Sequence, residues 1–142
     1  MRAFLDSSAL AKRYLPEPGS AAVRSAIRRA TPLVSRITFA ELVSAVGRAA
    51  ARGAIDLAHR DRIWDRIEVD FRELDVIEVR PAVLRHVRGL VARHGLRGYD
   101  AVQLATAAAA AAAGTPLTFW SADAALVAAA RAEGLRAIVP LA

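Results

Sequence analysis

Short apolar runs alternate with longer amphipathic segments along this chain, and that alternation restricts its fold more than any other feature. The opening run Met1-Arg2-Ala3-Phe4-Leu5 stops at Asp6, and later runs are Pro32–Ser35, Val76–Val79, Pro116–Trp120 and Ala137–Val139. Short apolar runs bounded in this way suit buried parallel strands. Between them lie helical patterns: Ser8–Tyr14, stopped by Pro16-Glu17-Pro18-Gly19, then Ser20–Arg29, and Thr38 towards Arg52, closed by Gly53. A long amphipathic helix starts at Asp56, with Leu57, Ile63, Trp64, Ile67 and Phe71 near one stripe. Its acids Asp61, Asp65, Glu68 and Asp70, with Glu73 beyond, are assigned to a solvated face. Pro81 suits a first helical position, and the period from Val83 to Val91 continues to Gly95. Leu96–Tyr99 reads as a connector, and Asp100 opens a helix through the alanine tract Ala107–Ala113. Ala124–Glu133 completes the series. Strands alternating with helices predict an α/β fold with a parallel sheet covered on both faces. No repeat or linker interrupts the pattern, so one domain over residues 1–142 is expected.

The chain contains no cysteine, which removes thiolate nucleophiles, disulfides and zinc–cysteine sites and is compatible with the reducing cytoplasm expected here. The longest weakly apolar stretch, Ala101–Ala113, is too short for a bilayer, so no membrane association is expected. The net charge of +6 permits an anionic partner such as nucleic acid. It does not demand one, because the basic residues are nearly all arginine in an alanine-rich chain.

Four acids occupy comparable topological places. Asp6 ends the first strand, Glu41 lies in the first turn of the helix after the second, Asp100 opens the alanine-rich helix and Asp123 follows the fourth strand. Helix starts after parallel strands share one edge of the sheet, where ligands collect. Each acid also has a purely structural use. Asp6 suits a helix cap, Thr38-x-x-Glu41 matches a capping box, and Asp100 and Asp123 suit positive helix ends. Brought together, the four would repel one another, and a bound divalent cation would offset that repulsion. Oxygen donors without cysteine favour Mg²⁺ or Mn²⁺ over zinc. Such ions activate water and steady in-line attack at phosphorus.

Phe4-Leu5-Asp6-Ser7-Ser8-Ala9-Leu10, Thr38-x-x-Glu41-Leu42, Tyr99-Asp100-Ala101-x-x-Leu104-Ala105 and Ser121-x-Asp123-x-x-Leu126 resemble PIN domains. More narrowly, they resemble the VapC toxins of bacterial toxin–antitoxin pairs, over essentially the whole chain. The resemblance implies a PIN-like three-layer α/β/α sandwich with a five-stranded parallel sheet and the first strand central. It also implies a Mg²⁺- or Mn²⁺-dependent endoribonuclease that hydrolyses RNA phosphodiesters and so inhibits translation or growth. On the matching motifs, Asp6, Glu41, Asp100 and Asp123 fall on acidic metal-binding positions. Ser8 and Ser121 fall on accompanying hydroxyl positions. A homodimer and a small VapB-like antitoxin that blocks the site are further implications. One departure is Gln103, where many relatives carry histidine; it lies outside the acidic quartet.

Two other enzyme folds fit poorly. A haloacid-dehalogenase-like phosphatase needs an acid where Ser8 stands, and a receiver domain needs a late lysine, whereas the only lysine is Lys12. His59, His86 and His94 lie in helical contexts without catalytic partners. The remaining alternatives are a catalytically silent PIN-like module that binds RNA or protein, and a housekeeping RNA-processing nuclease without an antitoxin. All four acids are present, which argues against the silent module.

Overall fold

The structure is a computed structural model and describes residues 1–141. Its five strands are β1 (Arg2–Leu5), β2 (Leu33–Ser35), β3 (Asp75–Ile77), β4 (Leu117–Trp120) and β5 (Arg136–Ile138). They form one parallel sheet in the order β3-β2-β1-β4-β5. β1 is central, as expected.

Eight α-helices connect the strands. They are α1 (Ser7–Leu10), α2 (Ser20–Arg29), α3 (Ile37–Ala51), α4 (Leu57–Asp70), α5 (Pro81–Leu84), α6 (Val87–His94), α7 (Gly98–Ala112) and α8 (Ala124–Ala132). A single 3₁₀ turn, Ala11–Arg13, extends α1. The segment expected as one helix from Pro81 to His94 is two, α5 and α6, with the break at Arg85 and His86. β3 starts one residue earlier than expected, where Asp75 pairs in register with Leu33 and its carboxylate accepts a hydrogen bond from Arg2, and it ends two residues earlier, at Ile77.

Successive strand residues point to opposite faces, and each face carries its own core. Phe4, Leu33, Leu117 and Phe119 pack with Val83, Leu90, Leu104, Leu126 and Val127 from α5–α8. Leu5 and Val34 pack on the other face with Leu10, Val23, Leu42, Val46, Ile63, Ile67 and Phe71 from α1–α4 and the residue following. Phe4 and Phe119 stack across the central strand pair with ring centroids 5.6 Å apart. The alanines of α7 account for its position: Ala101, Ala105 and Ala107 are fully buried. Side chains this small let the helix lie close on the sheet. No helix of the described residues is long and apolar enough to cross a membrane.

One acid assigned to the solvated face of α4 is buried. Asp70 is 5% exposed. It accepts hydrogen bonds from Tyr14 Oη at 2.7 Å and Arg13 Nε at 2.9 Å, and pairs with Arg66 Nε at 2.9 Å. A buried carboxylate requires this kind of compensation. The cluster ties the end of α4 to the turn after α1. Tyr14 is therefore interior, and its burial and the neighbouring Asp70 carboxylate push its phenol well above the ordinary range.

Candidate active site

The strand order creates the site. From β1 the chain moves outward to β2 and β3 with helices on one face; β4 then lies on the other side of β1 with its helices on the opposite face. The crevice beyond the carboxyl ends of β1 and β4 is the switch point where open α/β sheets bind ligands. Asp6 follows β1 directly, and its backbone N–H donates to Trp120 O at 3.0 Å, extending the ladder into the crevice.

The Asp6 side chain caps α1. Its Oδ1 accepts from the Ala9 amide at 2.8 Å and from Ser8 Oγ at 2.7 Å. Ser8 Oγ also accepts from the Ala122 amide at 2.9 Å and lies 3.2 Å from Ser121 Oγ, which accepts from the Asp123 amide at 3.1 Å. The two hydroxyls therefore link Asp6 to the β4–α8 turn that carries Asp123. Asp123 caps α8 with Oδ1, which accepts from Ala125 and Leu126 amides at 2.8 and 3.2 Å. For Asp6 and Asp123, capping and placement at the crevice coexist.

Glu41 is different. The capping-box alternative does not describe it, because α3 is preceded by Arg36 without a side-chain cap and Thr38 is buried inside the helix. Instead Glu41 Oε1 accepts from Ser7 Oγ at 2.7 Å and from Gln103 Nε2 at 2.8 Å. Asp100 sits in the first turn of α7, two residues past its start at Gly98. Gln103 follows one turn later on the same helix face as Asp100. It is 1% exposed, and its amide nitrogen also lies 2.8 Å from Ser7 Oγ and from Thr38 Oγ1. Sequence reasoning placed Gln103 outside the acidic quartet and offered Ser7 only a helix-capping role. The available signal was the three-residue offset of Gln103 from Asp100.

Asp6, Glu41, Asp100 and Asp123 all line one cavity of about 670 Å³, together with Ser7, Ser8, Gln103, Arg48 and Tyr99. Their charges interact. Burial pushes the Asp6 carboxyl up to about 6, with Glu41 adding repulsion; the Ser121, Ala9 and Ser8 hydrogen bonds act in the opposite direction. Burial also raises the Asp100 carboxyl, and Asp123 and Glu41 raise it further against the pull of Arg97. Among the described residues, no three acidic or imidazole side chains already stand as a set that could hold one ion. The donor chemistry suits a hard divalent cation: the four acids present oxygen to one cavity, and at Asp6 and Asp100 neighbouring acids raise the cost of ionisation.

The PIN domain profile matches residues 3–132. Ribonuclease VapC45 of Mycobacterium tuberculosis is 32% identical over 122 residues, spanning 82% of each chain. Among solved structures, PAE2754 of Pyrobaculum aerophilum superposes with a TM-score of 0.68 at 23% identity, covering 98% of this chain and 89% of that one. The DNA-bound VapBC of Salmonella typhimurium gives a TM-score of 0.68 at 20% identity, with 98% of both chains covered. The chain belongs to the PIN-domain family and, within it, to the VapC group.

Proposed function

We propose that the chain is a Mg²⁺- or Mn²⁺-dependent endoribonuclease and the toxin of a toxin–antitoxin pair. The observation that carries this reading is the meeting of Asp6, Glu41, Asp100 and Asp123, from four separate segments, at the switch-point cavity. Support for RNA as the substrate comes from the relatives named ribonuclease VapC.

In this reading Asp6, Asp100 and Asp123 hold the cation, and Glu41 either joins them or orients the attacking water. When bound, the cation neutralises the clustered carboxylates and activates water towards phosphorus. The protein's own groups position the reactants. Ser8 and Ser121 hold Asp6 against the β4–α8 turn. Arg48, on the cavity wall, offers a charge to a phosphate, and the exposed ring of Tyr99 offers a stacking surface to a base. Arg97 Nη1 donates to Tyr99 Oη at 3.1 Å and keeps a second positive charge at this rim. Tyr99 and the arginines thus supply backbone and base contacts, and the acids supply the reaction centre.

The open cavity is also where a VapB-like antitoxin would block access to the acids. Solved neighbours that are toxin–antitoxin or VapBC assemblies support such a partner. A homodimer and growth inhibition through RNA cleavage in the cytoplasm complete the proposal. Cleavage of total bacterial RNA with Mn²⁺, with and without EDTA, tests it. Metal-dependent fragments lost in Asp6→Asn and Asp100→Asn support the reading, and equal cutting by all three proteins refutes the site assignment.

A further inference from the structure

Gln103 is a buried side chain with an unusual distribution of partners. Its Nε2 lies 2.8 Å from each of three oxygens, while its Oε1 is buried without any hydrogen-bond partner. An orphaned buried carbonyl costs free energy and calls for a reason. The opposite amide orientation would not remove the problem. It would place Oε1 2.8 Å from the Glu41 carboxylate oxygen, acceptor against acceptor. The orientation present turns the amide N–H groups to the accepting Glu41 oxygen.

The surrounding hydroxyls organise around the same oxygen. Ser7 Oγ gives its proton to Glu41 Oε1 at 2.7 Å and receives from Gln103 at 2.8 Å. Thr38 Oγ1, one turn before Glu41 on α3, lies 2.8 Å from the same amide nitrogen, whose two protons are shared among three oxygens. Three elements thereby meet around the Gln103 amide: α1 through Ser7, α3 through Glu41 and Thr38, and α7 through Gln103 itself. The same α7 face carries Asp100, and α1 is capped by Asp6.

We propose that Gln103, acting with Ser7, is the positioning residue for Glu41. It fixes one carboxylate oxygen by hydrogen bonding and directs the other to the cavity that Asp6 and Asp100 share. This rests on the reading of the cavity as a metal-dependent nuclease site. Gln103 does not touch the reacting atoms; it acts through Glu41.

The test is a double-mutant cycle between Gln103→Leu and Glu41→Gln, read by Mn²⁺ binding to the protein without RNA (electron paramagnetic resonance) and by cleavage of total bacterial RNA. Gln103→Leu is expected to lower kcat and Mn²⁺ affinity by about 10- to 100-fold, the usual range for partners that orient metal ligands. KM for RNA should stay within about twofold, because the residue does not contact substrate. In the Glu41→Gln background the same substitution should add little, since its effect passes through Glu41. Gln103→His, which retains a ring N–H donor, should recover most of the loss. If Gln103→Leu fails to fold by circular dichroism, Ser7→Ala replaces it in the cycle with the same non-additivity expected. Unchanged kcat and Mn²⁺ affinity, or full multiplicative loss on Glu41→Gln, overturns the positioning role alone. A wild type that neither cuts RNA nor binds Mn²⁺ overturns the functional reading and this inference with it.

Discussion

Replacing Asp6 by asparagine should stabilise the metal-free protein, and the gain should depend on pH. Asp6 is 3% exposed, and burial pushes its carboxyl from 3.8 up to about 6. Between those values the native state holds a proton at this site that the unfolded chain has released. The site's contribution to stability is therefore fully present below about pH 4 and is lost as pH rises through about 6. A shift of about two pH units at about 1.4 kcal/mol each corresponds to about 3 kcal/mol. Asparagine removes this charge penalty but retains a side-chain oxygen for the Ala9 amide and Ser8, so the α1 cap survives. Urea denaturation in EDTA, followed by circular dichroism from pH 4 to 7.5, measures the difference. Asp6→Asn should match wild type near pH 4 and exceed it by about 2–3 kcal/mol at pH 7.5. The other titrating groups are common to both proteins, so they largely cancel. A difference that is flat with pH, or that shrinks as pH rises, refutes the claim that burial and repulsion penalise this carboxylate.

Three other expectations concern separate parts of the molecule. Asp70→Ala should cost about 2–4 kcal/mol in the same denaturation assay, because it leaves the Tyr14 hydroxyl buried and Arg13 unpaired; a loss below about 1 kcal/mol contradicts this. Gly19→Ala should cost about 2–4 kcal/mol, since φ is +92° and a Cβ would stand 2.5 Å from Pro140 O; at Gly53, with φ +79° and open space, alanine should cost only about 1–2 kcal/mol. Equal melting temperatures for these two variants would count against the contact between Gly19 and the C-terminal segment. Arg48→Ala and Tyr99→Ala should weaken RNA binding by about 1–3 kcal/mol each without lowering thermal stability, and filter binding at several salt concentrations should show a shallower salt slope for Arg48→Ala alone.

The layered fold and the convergence of the acids were legible because they follow from local pattern. Apolar runs ending at Asp6 and before Ser121, with helix starts next to Glu41 and Asp100, place these positions at one sheet edge once the strands are parallel. What escaped reading depends on partners distant in sequence. Asp70 looks like its neighbours Asp65 and Glu68 until Arg13 and Tyr14, from the turn after α1, are brought against it. Gln103 looks like an ordinary helical amide until Ser7 and Thr38 arrive, 96 and 65 positions away. The break between α5 and α6 has no proline or glycine at Arg85 or His86 to announce it. The metal-ligand roles stand apart from both groups, because the helix-capping bonds of Asp6 and Asp123 are ones that sequence alone also anticipates.

In the proposed function the four acids form a metal-dependent RNA-cleaving centre. The direct measurement is the digestion of total bacterial RNA by purified protein with Mn²⁺, compared with EDTA, Asp6→Asn and Asp100→Asn. Fragments should appear with Mn²⁺, disappear with EDTA and fall by at least about 100-fold in either variant. Undiminished cleavage in chelator, or in both folded variants, would contradict it.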